Sequence, residues 1–596
     1  AFGVANVLKR SKQGNYKLNK ESSALYLDRT KAFPKNVEFE SILTFSGDPT
    51  GSYIRSVTPN ASQVTVRQHF SFIELPDANY KMRAFDPRSG GLGMSYYDYA
   101  TPITSPLKKS FVIRHRLEKI DKNAAVSEAV EPIIYYLDRG APEPVRSALL
   151  EGGRWWNEAF EAAGYKNAFQ FKMLPEGADP LDIRYNVVQW VHRSTRGWSY
   201  GASVTDPRTG EIIKGHVSLG SLRIRQDYMI AQALLGVENK SDSENRALQM
   251  ALARIRQLSA HEIGHTLGFT HNFAASYNNR SSVMDYPHPF IQLTNGAIDV
   301  SDAYDTGIGE WDKVTVKYSY QDFPDGTNEK EALDTIIQEA LGQGMRFISD
   351  SDARAAGGAH VYAHLWDNGA SPADELNRVM EVRASAISNF STNNIADDQP
   401  LTVLEDVFVP VYFFHRYQLE AAVKLIGGLD YSYAVKGDGQ QIVKPVSPVL
   451  EQAALNALLA TIDVEALKIP ERLLEMFPPR AYGYSRTRES FASKTGISFD
   501  ALNAPATATD FLTKFLFHPE RAARMIQQKA VHNDQLGFDE LLDRVVEHTF
   551  HKTHKNAYDT EVQQVINHTV LEAMLALAAD KKATFQVKAE VNKVVD

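Results

Sequence analysis

Hydrophobic and polar positions change rhythm twice along the chain. From about residue 16 to 125, short β-branched and aromatic runs (Val37 to Phe45, Gln63 to Leu75, Ser110 to Leu117) alternate with Gly, Pro, Asp and Asn, which predicts strands joined by turns. Pro132 to Leu137 reads as one more strand, and Ala141-Pro142-Glu143-Pro144 as a helix start. Val145, Ala148, Leu149, Trp155, Trp156, Ala159, Phe160 and Ala163 then recur at three-to-four spacing and stop at Gly164, the stripe of one long amphipathic helix. Strands follow at Phe169 to Met173 and Ile183 to His192. Asp206-Pro207-Arg208-Thr209-Gly210 has turn composition, so 201 to 219 is predicted to be a β-hairpin. Glu244 to Thr266 places Leu248, Ala251, Leu252, Ile255 and Leu258 on one face and is predicted helical. Beyond about 300 the texture is helical, with stretches at Leu404 to Ile426, Pro448 to Ile462, Val464 to Met476, Thr507 to Phe517 and Gly537 to His548, and a break at Pro478-Pro479.

These patterns predict an α+β protein in three parts: a β-rich N-terminal domain (1–127), a central α+β domain (128–300) and a mostly helical C-terminal region (301–596). A hydrophobic content of 43% is enough for sizeable cores. The net charge of −9 lacks the basic excess of a nucleic-acid binder. No apolar run approaches the ~18 residues that span a bilayer; the best, Ala573 to Ala579, ends in Asp580, Lys581 and Lys582. The chain contains no cysteine, which removes disulfides, thiol nucleophiles and thiolate-held metals, so any metal must be bound by His, Asp or Glu. It starts at Ala1 without a Met or a basic-then-apolar leader, the look of a chain trimmed by a processing peptidase or by design, and trimming of that kind can remove an export signal.

One segment carries chemistry: His261-Glu262-Ile263-Gly264-His265-Thr266-Leu267-Gly268-Phe269-Thr270-His271. Residues four apart share a helix face, so His261 and His265 can offer two imidazoles to one ion. Glu262 is rotated ~100° from the first ligand, within reach of a water on that ion. Gly268 can end the helix with positive φ and return the chain so that His271 becomes a third ligand. Three protein ligands leave an open position, the mark of a catalytic zinc. Five fixed positions in eleven residues have a chance expectation on the order of 10⁻⁴ in such a chain.

The segment resembles the long zinc motif HExxHxxGxxH of the metzincin metallopeptidases at every fixed position. The Met-turn of that family is matched by Ser282-Val283-Met284-Asp285-Tyr286. The resemblance implies one catalytic Zn2+ on His261, His265 and His271, Glu262 as general base, and Met284 as an apolar floor beneath the site. Tyr286, two residues after the Met as in astacins and serralysins, is implied to be either an extra zinc ligand or a phenol donor to the oxyanion. An edge strand over Gly201, Ala202, Ser203 and Val204 is implied to hold an extended peptide, making 128–300 the catalytic domain. The whole chain resembles the large bacterial met-zincin zinc-dependent metalloproteases, on segments such as Tyr136 to Glu143, Asp206 to Glu211, His271-Asn272-Phe273, Val411 to Gln418 and Gly427 to Asp430. It departs from better-known branches at Asn272, so their specificity rules do not transfer. The implied function is a zinc-dependent endopeptidase acting on a peptide or protein substrate and exported to the periplasm, cell surface or medium. Oligomeric state is not implied. The alternatives are a zinc-binding scaffold whose cleft is blocked, with the β-rich region as blocker, and hydrolysis of a non-peptide amide.

Other candidates read more plainly. His548, His551 and His554, beside Lys552 and Lys555, form a solvated helical face. His415, among Tyr412, Phe413, Phe414 and Tyr417, reads as a hydrogen-bonded core or helix-contact residue and not a ligand. His288, close to the Met-turn, is a candidate for the cleft wall. The Asp-containing loops at 348 to 353 and 437 to 439 lack calcium-loop spacing, and calcium is not claimed.

Overall fold

A computed structural model describes residues 3–193, 197–238 and 240–595. Three long strands, β1 (Gly14–Leu25), β2 (Asn36–Pro49) and β3 (Gln63–Ile73), form an antiparallel meander around a small core of Tyr16, Leu43, Phe45, Ile54 and Val64. A short hairpin, β4 (Gly93–Tyr97) and β5 (Lys108–Val112), follows.

The central layer is a five-stranded sheet covered by helices. It is built from β6 (Ile133–Leu137), helices α1 (Val145–Arg154) and α2 (Trp156–Ala162), then β7 (Phe169–Met173), β8 (Asn186–Val191), β9 (Tyr200–Thr205) and β10 (Ile212–Gly220). The strand order is β7-β6-β8-β10-β9. β6, β7, β8 and β10 run parallel, and β9 alone is antiparallel, at the edge. Tyr135, Leu137, Val188, Val217 and Leu219 share one face of the sheet and are buried beneath the helices, whereas Ile134, Tyr136 and Gln189 on the opposite face are half-buried. The predicted 145–163 helix is two helices, broken at Trp155. The Gly152-Gly153 pair before the break lets α1 press on its neighbour: a β-carbon on Gly152 would run into the Arg256 carbonyl, and one on Gly153 into Phe171 and Ile263.

After α3 (Leu222–Leu235), helix α4 (Arg246–Thr266) starts at Asn245, whose side chain accepts the Leu248 N–H at 2.9 Å. α4 packs on α1 through Leu252, Ile255, Leu258, Ala260 and Ile263, and shares one core with the sheet and with α5 (Glu310–Tyr320). The short α6 (Asp350–Ala353) packs through Ala353 in a small cluster with Phe273, Ala274, Ile348 and Ala363. A second large core gathers α3, the start of α4 and the later helices: α7 (Pro372–Asn389), α8 (Leu404–Tyr412), α9 (Arg416–Val423), α10 (Pro448–Ala460), α11 (Asn503–Leu516), α12 (Pro519–Val531), α13 (Phe538–Phe550), α14 (Ala557–Ala579) and α15 (Phe585–Val595). Two predicted helices are broken in the structure. The 404–426 stretch divides between α8, which contains Pro410, and α9, and 464–476 is interrupted by Pro470. No described helix is long and apolar enough to cross a membrane.

Candidate metal centre

The C-terminal end of α4 and the turn after it bring three imidazoles together. Gly268, at φ 95°, ends the helix and turns the chain back toward His271. Glycine is required there twice over, since a β-carbon would also meet the Ile113 carbonyl. The ring centroids of His261, His265 and His271 lie 4.6–5.2 Å apart, and their ligand atoms all fall within 4.8 Å of one another.

Each ring is oriented from outside by its Nδ1. His261 donates to the Val283 carbonyl at 2.8 Å, His265 to the Phe269 carbonyl at 2.9 Å, and His271 to Asp350 Oδ2 at 2.8 Å. This commits all three Nε2 atoms inward as acceptors. His261 Nε2 is buried without a partner, and Nε2 of His265 and His271 face each other at 3.1 Å. Two acceptor nitrogens so close call for a cation between them; a tetrahedral zinc with bonds of ~2.0–2.1 Å would separate its ligand nitrogens by about 3.3 Å. Burial holds His261 far below the usual imidazole range and His265 down to about 4, so both are neutral, the form that ligates. The donor set fits zinc.

Glu262 is 5% exposed. Burial pushes its carboxyl up to about 7, against the opposing pull of the Arg254 charge and of the Gly201 N–H, which donates to it. Gly201 thereby ties edge strand β9 to α4, and a β-carbon on it would meet the Glu262 carbonyl. Ser203 also faces the helix, its Oγ 3.3 Å from the Thr266 carbonyl, whereas Ala202 and Val204 point to solvent.

The Met-turn passes under this end of α4. Met284 is buried against Gly264, where any side chain would clash with its Sδ and with Trp156. Asp312, from α5, pins the turn by accepting from Ser282 Oγ (2.6 Å), Val283 N (2.8 Å) and Gly309 N (2.9 Å). The Tyr286 ring lies 5.1 Å from that of His261 and 4.7 Å from that of His271. Arg354 sits over it at 5.2 Å, and also bonds Asp350, the partner of His271. Burial raises the Tyr286 phenol, and its hydrogen bond with Arg354 opposes that.

A family model described as Met-zincin matches residues 243–557, more than half of the chain. The chain belongs to the Met-zincin family. A second model, described as a domain of unknown function, matches residues 3–120. No curated protein and no solved structure matches the chain. Membership implies zinc binding, and the histidine triad is the only group of three or more His, Cys, Asp or Glu able to hold an ion among the described residues.

The remaining histidine candidates fall elsewhere. His548 pairs with Asp463 at 3.0 Å and His554 Nε2 meets Gln563 at 3.1 Å, so His548, His551 and His554 build no second centre. His415 is buried where α9 begins and neither ring nitrogen has a hydrogen-bond partner, so of the two expectations it is the core helix-contact residue and not the hydrogen-bonded one. His288 is buried between Phe414 and Tyr417. Two groups at the centre were not foreseen. Asp350 lies in the 348–353 segment considered only for calcium and Arg354 directly follows it, and the strip Gly90–Leu92 pairs with the ligand turn: Leu92 N donates to the Gly268 carbonyl at 2.7 Å and Thr270 N to that of Gly90 at 3.0 Å. Asn272, whose identity sets this branch apart, is fully buried and donates to the Arg346 carbonyl at 2.9 Å, fastening the third ligand to the segment that carries Asp350.

Proposed function

We propose that this chain is a zinc-dependent endopeptidase. The observation that carries the reading is three inward-facing imidazole nitrogens beside a buried carboxyl on the same helix. One zinc ion held by His261, His265 and His271 would supply the positive charge that polarises a peptide carbonyl and acidifies a water. Glu262, buried beside the triad, would take a proton from that water as it attacks and deliver it to the leaving amine. The Gly201 N–H keeps the carboxylate aimed. Gly201, Ala202, Ser203 and Val204 lie on an edge strand, whose unpaired backbone groups can bind a peptide in extended form. Export of the protein belongs to the same proposal, by family resemblance.

The test is metal analysis of the purified protein alongside cleavage of a mixed peptide library, with and without a chelator. Glu262→Ala is expected to retain the ion and lose turnover by ~10²–10⁴-fold; full activity in that variant would overturn the mechanism. For Tyr286 the two roles separate cleanly. If its phenol donates to the oxyanion, Tyr286→Phe lowers kcat at unchanged zinc affinity, whereas loss of affinity identifies a ligand.

A further inference from the structure

An aromatic wall leads away from the triad. It runs from His261 to Tyr286 (5.1 Å between ring centroids), to Trp366 (5.1 Å) and to Tyr417 (5.8 Å). Trp366 is held at φ 64°, a conformation unusual for a bulky residue, and its N–H donates to the Tyr286 carbonyl at 2.8 Å. Backbone of this kind persists where the surroundings enforce it, and it gathers at functional sites.

Three guanidinium groups lie on this wall. Arg223 and Arg254 are 5.6 and 5.9 Å from the Trp366 ring, and Arg416 is 4.2 Å from that of Tyr417. Among the described residues only one of the three has a carboxylate partner: Arg223 binds Asp227 through bonds of 2.9 and 2.5 Å. Arg254 is 3% exposed, bonds Gln257, and has a buried Nε without a partner. Arg416 bonds only the Phe413 carbonyl. The charges of Asp227 and Glu262 both act on Arg254, which still leaves three cations against two carboxylates, and the wall remains open at Arg223, whose side chain is 25% exposed. Buried cations are ordinarily paired, so the wall can accept one further anion.

The position on α4 says which part of a substrate would meet it. Arg254 is seven residues before His261, on the same helix face and about 10 Å away along the axis. The wall therefore flanks the His261 and Glu262 end of the triad, while Arg354, bonded to Asp350, lies on the His271 side. Glu262 gives its proton to the leaving amine, so the residue bearing that amine lies nearest the arginines.

Building on the peptidase reading, we propose that Arg223, Arg254 and Arg416 on the Trp366–Tyr417 wall select a substrate carboxylate on the leaving-group side of the scissile bond. The carboxylate comes either from an Asp or Glu side chain in the residue after that bond or from a free chain end.

The experiment uses the zinc-loaded full chain and quenched peptides that differ only at the residue after the scissile bond (Glu, Asp, Leu or Lys), with both ends blocked. A parallel Leu peptide carries a free terminal carboxylate just beyond the bond. The expected result is a kcat/KM at least ~10-fold higher for Glu or Asp than for Leu, with Lys lowest, consistent with the charge discrimination of a desolvated site. Preference for the free-ended Leu peptide alone also supports the wall and assigns the carboxylate to the chain terminus. Arg254→Gln is expected to shrink the acid-to-Leu ratio to about threefold or less. The ratio is internal to each variant, so a general loss of folded protein cancels. If Arg254→Gln does not fold, Arg416→Gln reads the same ratio at a part-exposed position. Cleavage with equal rates for Glu, Leu and Lys, or fastest for Lys, overturns this inference alone, whereas absence of all cleavage overturns the peptidase reading and this inference with it.

Discussion

Glu262 occupies a setting that disfavours its own charge. Its carboxyl titrates near 4.5 when unfolded and about 7 when folded, with burial the main cause. The stabilising share of its protonation is therefore complete below 4.5 and is lost as pH rises through 7. Gln has no charge to bury, so the metal-free Glu262→Gln variant should gain on the wild type across that window, by up to about 3 kcal/mol. Denaturant titrations at a series of pH values check this; two curves that stay parallel would contradict it. Asp350 is the counterpart on the ligand side. Its bond to His271 spans 79 positions in the chain, and no local spacing rule could have found it. Asp350→Ala should weaken zinc binding by ~10–100-fold, as loss of an outer hydrogen-bond partner does, measured by competition with a chromophoric chelator. The histidines themselves were legible because 3.6 residues per turn fixes where positions 261 and 265 point.

At the level of elements, the close crossing of α1 over α4 sets the height of the zinc helix above the sheet. Gly152→Ala brings two effects into opposition. Alanine is the better helix former by about 1 kcal/mol, but its β-carbon would meet the Arg256 carbonyl, and overpacking costs about 1–3 kcal/mol. The clash involves backbone that cannot swing aside, so the variant should melt at a lower temperature than the wild type. A higher melting temperature would mean that α1 can slide without loss. Hydrophobic spacing located this stripe correctly and missed its break at Trp155, because the stripe continues across the kink. The break at Pro470 could have been read from the residue alone.

On the scale of the whole molecule, the ligand turn is held from three directions. Gly90 and Leu92 pair with it from the N-terminal side, Asp312 fixes the Met-turn from α5, and Asp350 meets His271 from beyond the Met-turn. A fragment limited to residues 128–300 lacks all three supports. It is expected to be more easily digested than the full chain and to bind zinc less tightly, as measured by limited proteolysis and by chelator competition on both. Zinc affinity equal to that of the full chain would show that the supports are dispensable. The N-terminal region, considered from sequence as a blocker of the cleft, pairs through Gly90 and Leu92 with the main chain of Thr270 and Gly268 and so braces the third ligand.

The sequence by itself determined the triad, the acid beside it, the turn glycine and the order of strands, hairpin and zinc helix, since each depends on local periodicity or on one residue's allowed φ. Only the tertiary structure decided how the centre is completed: the outward bonds that turn three Nε2 atoms inward, the burial that lifts Glu262, and the arginine-bearing wall past Trp366. Apart from the bond of His265 to Phe269, four residues on, those depend on chain segments tens of residues apart or more. Their meeting is set by how two hydrophobic cores pack together, which no window of sequence encodes.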